Sequence, residues 1–191
     1  MSLDSYCMPV TYRCNWFCSY CIVDTHNKPD IPFDQVLEKA RNAPIGSKVS
    51  LTGGEPGILK ANQLREIISI LRDRNCKVQI NSNGTIFKKP QIVDLVDSIL
   101  YHVSEDLDIN TKVVKKYKDK TTFTVVVTDS NIERLPAFLD KHNDIDIKIQ
   151  ADQDASYSTR IKLFREYRDH IEADTLAVID VKEYQKKTIK L

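Results

Sequence analysis

The whole chain alternates between short apolar runs rich in β-branched residues and segments in which apolar residues recur every three or four positions. The first pattern predicts strands and the second predicts amphipathic helices, which together indicate βα units around a parallel sheet. The predicted strands are residues 6–11, 48–52, 77–81, 99–103, 123–128 and 145–150. Six units are too few for a closed eight-stranded barrel, which needs about 250 residues. The sequence therefore predicts an open, three-quarter (β/α)6 barrel of the TIM type, mostly parallel and with outer helices.

Helical segments fill the gaps between these strands. They are residues 33–40, 61–74, 90–96, 110–117, 132–141 and 158–171. The polar residues 152–158 predict a loop rather than a domain boundary, and a last apolar run at 175–181 predicts an extra strand at a sheet edge. Since no linker or internal repeat interrupts the pattern, residues 1–191 are predicted to form a single domain.

The amino-acid composition argues against nucleic-acid binding, membrane association and secretion. The chain has 28 basic and 27 acidic residues and a net charge of +1, which predicts no broad attraction to nucleic acid or to an anionic membrane. No apolar run approaches the ~20 residues of a membrane span, and the N-terminus carries no secretory signal pattern. Five cysteines, an odd number without such a signal, indicate a reducing cytoplasm rather than a disulfide framework.

Three of the cysteines lie in the spacing CxxxCxxC: Cys14, Cys18 and Cys21. Three thiolates on one short loop can bind three irons of a cubane iron–sulfur cluster and leave the fourth iron open to a small molecule. The competing interpretation is a zinc site with His26 or Cys7 as fourth ligand, although structural zinc usually has two CxxC-like pairs. Cys76 is predicted to be a packed thiol, and Cys7 a buried thiol on the first strand.

A second motif, Thr52-Gly53-Gly54-Glu55-Pro56, directly follows the second predicted strand. The two glycines let a ligand approach the backbone closely, and the Glu55 carboxylate supplies the charge that suits a cationic ammonium. A surface turn is the plain alternative for a glycine pair, but the cysteine triad upstream favours a binding site.

The cysteine spacing, the aromatic Tyr20 before the last cysteine and the GGEP run resemble those of the radical S-adenosylmethionine (radical SAM) enzymes. The resemblance implies a 4Fe-4S cluster on the three cysteines, with S-adenosylmethionine chelated to the open iron. Gly53, Gly54 and Glu55 would receive its amino group. One electron from the cluster would cleave the sulfonium and give a 5'-deoxyadenosyl radical, which takes a hydrogen atom from the substrate.

Polar residues at the ends of the predicted strands are candidates for contacts with the adenine, ribose and carboxylate of S-adenosylmethionine. They are Asn81, Ser82, Ser104, Asp106 and Gln150. The resemblance implies a polar contact at the end of the fourth strand, where Ser104 is the first choice and a turn-forming serine is an equal alternative. Tyr20 is expected to pack against adenine or to shield the cluster.

Two groups of radical SAM enzymes resemble this short chain. The first is 7-carboxy-7-deazaguanine synthase, which contracts a pterin ring on the route to queuosine. Its aspartate–threonine pair after the last cysteine resembles Asp24-Thr25, which implies that Thr25 contacts Mg²⁺ at the substrate, although Ile22 and Val23 intervene here. The second group is the glycyl radical enzyme activases, which act on a protein partner. The sequence favours a small-molecule substrate, because no exposed apolar docking patch is evident.

The resemblance also implies protein partners. A flavodoxin-like or ferredoxin-like protein would supply the electron, and the chain is further expected to form a homodimer. From a different functional class, a non-catalytic zinc-binding module is the alternative.

Overall fold

The computed structural model describes residues 5–21, 23, 25, 27–110, 116–167 and 170. Its centre is a single sheet of six parallel strands that follow one another in chain order. The strands are β1 Ser5–Thr11, β2 Lys48–Gly53, β3 Lys77–Ser82, β4 Ser98–His102, β5 Thr121–Val127 and β6 Ile147–Ala151. Among the described residues, β1 and β6 each pair with one neighbour only. The barrel is therefore open, and the predicted architecture is confirmed.

Helices connect the strands and cover the sheet. They are α1 Phe33–Arg41, α2 Ala61–Asp73, α3 Pro90–Val93, α4 Leu135–Lys141 and α5 Tyr157–Glu166. In α2 the spacing of three and four residues brings Leu64, Ile67 and Leu71 to one buried face, as expected for a helix that packs on a sheet. None of the helices in the described part of the chain combines the length and the apolarity needed to cross a membrane.

The interior consists of two apolar clusters. The first core contains Met8, Leu51 and Ile80 from the first three strands, together with the buried faces of α1 to α3. The second core contains Phe123 and Ile149, from β5 and β6, with the buried residues of α4 and α5. Because the strands are parallel, their carboxyl ends all meet at one edge of the sheet, which is where barrel enzymes place their chemistry.

Three predicted helices differ from those observed. The helix predicted at 90–96 ends at Val93, because the Asp97 side chain accepts a hydrogen bond from the backbone of Val78 (2.6 Å) and draws the chain into β4. The helix predicted at 132–141 begins with a 3₁₀ turn and becomes α-helical at Leu135, where Pro136 fits the first turn. The helix predicted at 158–171 is α5, which ends at Glu166.

Several predictions fall on residues outside the described ranges. The helix at 110–117 lies there for the most part, and the extra edge strand at 175–181 lies there completely. The cysteines outside the triad are both described: Cys76 is a packed thiol, 1% exposed, as predicted. Cys7 is exposed rather than buried, because β1 is an edge strand and Cys7 alternates with the buried Met8.

Candidate active site

A cleft of about 360 Å³ opens at the carboxyl ends of the strands. Its size is within the usual range for small-molecule sites. The lining comprises Cys14, Trp16, Cys18, Tyr20, Cys21, Val23, Thr25, Thr52, Gly53, Gly54, Glu55, Asn81, Ser82, Asn83, His102, Val126, Gln150, Ala151, Asp152 and Gln153. The cleft thus extends from the loop after β1 across the sheet to the end of β6.

The cysteine triad lies on the loop between β1 and α1, residues 12–32, here called the cluster loop. A turn from Cys18 to Cys21 is closed by a backbone hydrogen bond of 3.1 Å from the Cys21 N–H to the Cys18 carbonyl. The backbone N–H of Trp16 lies 3.5 Å from the Cys14 sulfur, to which it donates. All three cysteines of this loop line the cleft.

The thiols are partly withdrawn from water. Burial raises the pKa of Cys14, against the opposing effect of the Trp16 N–H, and burial also raises the pKa of Cys18. The Tyr20 hydroxyl hydrogen-bonds to Cys18, and burial raises its pKa well above the ordinary value, so the phenol stays protonated. A metal that binds these thiols displaces their protons, because thiolates are the ligand form of cysteine.

The donor set fits a cubane iron–sulfur cluster. Three thiols on one loop line one cleft, and in a cubane each thiolate would bind a different iron. Structural zinc needs a fourth ligand, for which the sequence offered Cys7 or His26. Cys7 does not line the cleft, and His26 lies outside the described residues.

The glycine turn after β2 packs against the start of the cluster loop. The backbone N–H of Gly54 donates to the Thr11 carbonyl (2.7 Å), and that of Glu55 donates to the Arg13 carbonyl (2.8 Å). Gly53 has φ +110°, and a Cβ on Gly54 would collide with the Arg13 carbonyl. Both positions therefore need glycine, one for its backbone conformation and the other for the close approach.

The Glu55 side chain lines the cleft but is only 2% exposed. Its Oε1 accepts hydrogen bonds from the Gly57 N–H (2.7 Å) and the Ser82 hydroxyl (2.8 Å), and its Oε2 accepts one from the Asn83 N–H (2.7 Å). Burial raises the pKa of Glu55, and these three donors oppose the rise. The carboxylate therefore joins the turn after β2 to the turn after β3.

Most of the site residues predicted from the sequence line the cleft. The three cysteines, Tyr20, Thr25, Gly53, Gly54, Glu55, Asn81, Ser82 and Gln150 all do so. Ser104 and Asp106 do not. The Ser104 hydroxyl accepts a hydrogen bond of 3.1 Å from the Asp108 backbone in a turn, and the Asp106 side chain is 90% exposed, 3.9 Å from Arg134. The chain turns away from the cleft after β4, so the structure gives their predicted ligand contacts no support.

Other lining residues were not predicted as site residues. His102, the last residue of β4, is one of them. Asp152 and Gln153 follow β6, in the segment predicted to be a loop. The sequence could have indicated both residues, because polar residues directly after a parallel strand lie at the carboxyl edge of the sheet, where barrel enzymes have their active sites. Asn83 also lines the cleft and donates to the Asn15 side chain of the cluster loop (3.0 Å).

The sequence profile of the Radical SAM superfamily matches residues 8–128, well over half of the chain. The chain belongs to this superfamily. Radical SAM proteins use a 4Fe-4S cluster and S-adenosylmethionine, so the predictions of both cofactors are confirmed. The contact of Thr25 with Mg²⁺ stays a prediction, as do the ligand contacts of the individual cleft residues.

Curated relatives span several reactions. A 7-carboxy-7-deazaguanine synthase of Rickettsia prowazekii is 34% identical over 97 residues, which are 44% of this chain and 38% of the relative. A GTP 3',8-cyclase of Helicobacter pylori is 34% identical over 115 residues, 56% of this chain and 35% of the relative. A putative glycyl-radical enzyme activating enzyme of Methanocaldococcus jannaschii is 25% identical over 166 residues, 73% of this chain and 64% of the relative. The chain thus spans less than two thirds of each of these radical SAM relatives.

Solved radical SAM structures share the fold. The structure described as native anSMEcpe with bound AdoMet superposes with a TM-score of 0.61 at 16% identity. The match covers 78% of this chain and 51% of that chain. At this identity the likeness shows the partial barrel and carries no information about substrate. Membership of the radical SAM superfamily supports an enzyme and disfavours the alternative of a non-catalytic zinc module.

Proposed function

We propose that this radical SAM enzyme abstracts a hydrogen atom from a small-molecule substrate bound at the carboxyl ends of β4 to β6. The observation that carries the proposal is the continuity of the cleft. One wall carries the three cysteines, the middle carries the glycine turn, and the far wall carries His102, Gln150 and Asp152. A substrate on the far wall would share one cleft with S-adenosylmethionine, and a radical reaction requires this proximity.

The residues that line the cleft have different roles. Cys14, Cys18 and Cys21 hold the cluster, and backbone groups of Gly53 and Gly54 meet the methionine amino group. When bound, the cluster and S-adenosylmethionine supply a 5'-deoxyadenosyl radical after transfer of one electron. Protein groups then orient the substrate hydrogen and exclude water. We further propose that a flavodoxin-like or ferredoxin-like protein donates the electron.

The favoured substrate is a pterin, in a ring contraction like that of 7-carboxy-7-deazaguanine synthase. The 2-amino group and the adjacent ring N–H of a pterin are paired donors, and a carboxylate such as Asp152 is their geometric complement. Thr25 lines the same cleft, where its hydroxyl would meet a Mg²⁺ ion at the substrate. The similarity to the Rickettsia synthase supports this choice.

The first experiment tests the radical chemistry. Protein reconstituted without oxygen and supplied with S-adenosylmethionine and dithionite is expected to release 5'-deoxyadenosine, measured by liquid chromatography. Cys18→Ala should abolish the product because one iron loses its ligand. Cys7→Ala is the matched control and should retain it, since Cys7 is exposed and outside the cleft. Equal activity of the two variants would contradict the proposal.

The second experiment tests the substrate. Incubation with 6-carboxytetrahydropterin and Mg²⁺ is expected to give the deazapurine, detected by mass, and deuterium at the abstracted position should appear in 5'-deoxyadenosine. Asp152→Asn should raise KM by about 10-fold or more, because loss of one charge-assisted pair costs on the order of 1.5–3 kcal/mol. Asp154→Asn, two residues away and exposed, is the control. A wild-type enzyme that cleaves S-adenosylmethionine and leaves the pterin unchanged would rule out this substrate.

The second candidate function is a glycyl radical enzyme activase. It is supported by the archaeal activating enzyme, whose similarity covers 73% of this chain against 44% for the synthase. This candidate predicts active cleavage of S-adenosylmethionine without pterin turnover. It also predicts a glycyl radical signal in electron paramagnetic resonance (EPR) when the enzyme is incubated with a glycyl radical enzyme encoded in the same genome.

A further inference from the structure

The base of the cluster loop is closed by one side chain that does not line the cleft, Asp30. Its Oδ1 accepts three hydrogen bonds: from the Thr11 hydroxyl (2.7 Å), the Tyr12 N–H (2.8 Å) and the Ile31 N–H (2.9 Å). Its Oδ2 pairs with Arg13 Nε at 2.8 Å. One carboxylate thus joins the end of β1 to the segment that leads into α1, across 18 intervening residues.

The segment that Asp30 holds, residues 11–13, also supports both cofactor motifs. It leads directly into Cys14, the first cluster ligand. The carbonyls of Thr11 and Arg13 accept the backbone hydrogen bonds of Gly54 and Glu55. The Thr11 hydroxyl, besides donating to Asp30, accepts a bond from the Arg13 N–H (3.1 Å). Any displacement of residues 11–13 therefore changes the position of the first cysteine relative to the glycine turn.

The separate contacts of Asp30 differ in strength. The Arg13 and Asp30 side chains are 57% and 33% exposed, and ion pairs that face water contribute little. Thr11 is fully buried, so its hydroxyl has lost water as an alternative partner. Burial opposes ionisation of Asp30, yet the hydrogen bonds from Thr11, Tyr12 and Ile31 and the charge of Arg13 hold its pKa below the ordinary value. The three hydrogen bonds to Oδ1 therefore contribute more to holding this segment than the salt bridge between Oδ2 and Arg13 does.

We propose that Asp30 is a positioning residue that fixes residues 11–13 and, through them, the spacing between the first cluster ligand and the glycine turn that receives S-adenosylmethionine. The inference rests on the cluster and S-adenosylmethionine of the radical SAM superfamily and is independent of the proposed substrate. Residues that orient metal ligands without touching the metal typically change metal affinity by about 10- to 100-fold when they are replaced.

The test compares three variants of the reconstituted holoenzyme. Asp30→Ala removes all four contacts, and Asp30→Asn keeps an oxygen that can accept the three hydrogen bonds while losing the charge. Asp34→Ala is the control, because Asp34 is an exposed acidic residue four positions away, in the first turn of α1. Thermal unfolding of each apoprotein establishes that the variants fold.

The first readout is the rate at which an iron chelator removes iron without oxygen. The second is the S-adenosylmethionine concentration that half-saturates the change in the EPR signal of the reduced cluster, a signature that reports cofactor geometry rather than fold stability. For Asp30→Ala we expect both quantities to rise by about 10-fold or more. Asp30→Asn should restore both to within about threefold of wild type, and Asp34→Ala should leave them unchanged.

Two results would overturn the proposal. One is a folded Asp30→Ala holoenzyme with wild-type iron retention and wild-type S-adenosylmethionine binding. The other is an Asp30→Asn variant as defective as Asp30→Ala, which would assign the effect to the salt bridge. If Asp30→Ala does not fold, Thr11→Val, which removes one hydroxyl, replaces it in the same assays. Unchanged iron loss and binding in Thr11→Val would then contradict the proposal.

Discussion

The Glu55 carboxylate is surrounded by donors on three sides, and this explains how an acidic residue is almost completely buried at the edge of the sheet. Its partners come from its own turn and from the turn after β3: the Gly57 N–H, the Ser82 hydroxyl and the Asn83 N–H. A buried charge is tolerated when hydrogen bonds replace the lost water. The sequence indicated Glu55 as a ligand for an ammonium, and the structure adds that the side chain also joins two turns of the site.

Because the Glu55 side chain joins two turns, its replacement should destabilise the fold. Glu55→Gln keeps the size of the side chain but turns an NH₂ group toward one of the three donors. We expect the free energy of unfolding of the apoprotein in urea to fall by about 2 kcal/mol, the usual cost of an unsatisfied buried polar group. Glu66→Gln, at an exposed position of α2, should change it by less than about 0.5 kcal/mol. Equal stability of the two variants would show that the three bonds contribute nothing.

At the scale of secondary-structure elements, α5 is attached to the sheet through its N-terminus. Ser156 caps the helix by accepting a bond from the Thr159 N–H (3.3 Å), and the Ser156 N–H and hydroxyl both donate to the Asp129 carboxylate, at 3.0 and 2.8 Å. Asp129 follows the end of β5, so this contact ties α5 to the neighbouring strand. Asp152 and Gln153 lie between β6 and α5 and share that support.

The attachment should depend on pH. Hydrogen bonds from the Thr159 hydroxyl and from Ser156 lower the pKa of Asp129 below its ordinary value of 3.8. A depressed pKa in the folded state stabilises the fold above pH 3.8, and this contribution is lost as the pH falls through the folded pKa. We therefore expect the protection of α5 amides, which is the exchange rate corrected for the intrinsic rate at each pH, to fall below pH 3.8 in the wild type. In Asp129→Asn this additional loss of protection should be absent, and protection at neutral pH should already be lower.

At the scale of the whole molecule, the sequence predicted the sheet well because each strand is a compact apolar run between helical segments. The same reasoning found the cysteines and the glycine turn, since their spacing is local. It could not find Asp30, whose partners lie up to 19 positions away, nor the place of His102, because a strand pattern does not say which face borders a cleft. It favoured Ser104 because of its position after β4, where the chain turns outward.

The junction between the two cores decides whether the chain unfolds as one unit. Tyr101 of β4 packs edge-on against Phe87, which borders the first core, at a ring separation of 5.8 Å, and against Phe123 of the second core at 5.3 Å. It is 6% exposed. Aromatic contacts of this geometry add stability beyond area burial. Tyr101 therefore couples the half that carries the cysteines to the half that carries the proposed substrate wall.

We expect the wild-type chain to unfold in one transition, in agreement with its prediction as a single domain. Tyr101→Ala should lower the free energy of unfolding by about 3 kcal/mol or more through the cavity it leaves. Because the aromatic contact between the cores is lost, β5 and β6 should also exchange their amide hydrogens before β1 to β3. Tyr101→Phe keeps the ring and should stay within about 1.5 kcal/mol of wild type, with uniform exchange. Hydrogen exchange followed by mass spectrometry measures both effects, and uniform exchange in Tyr101→Ala would mean that strand pairing alone couples the two halves.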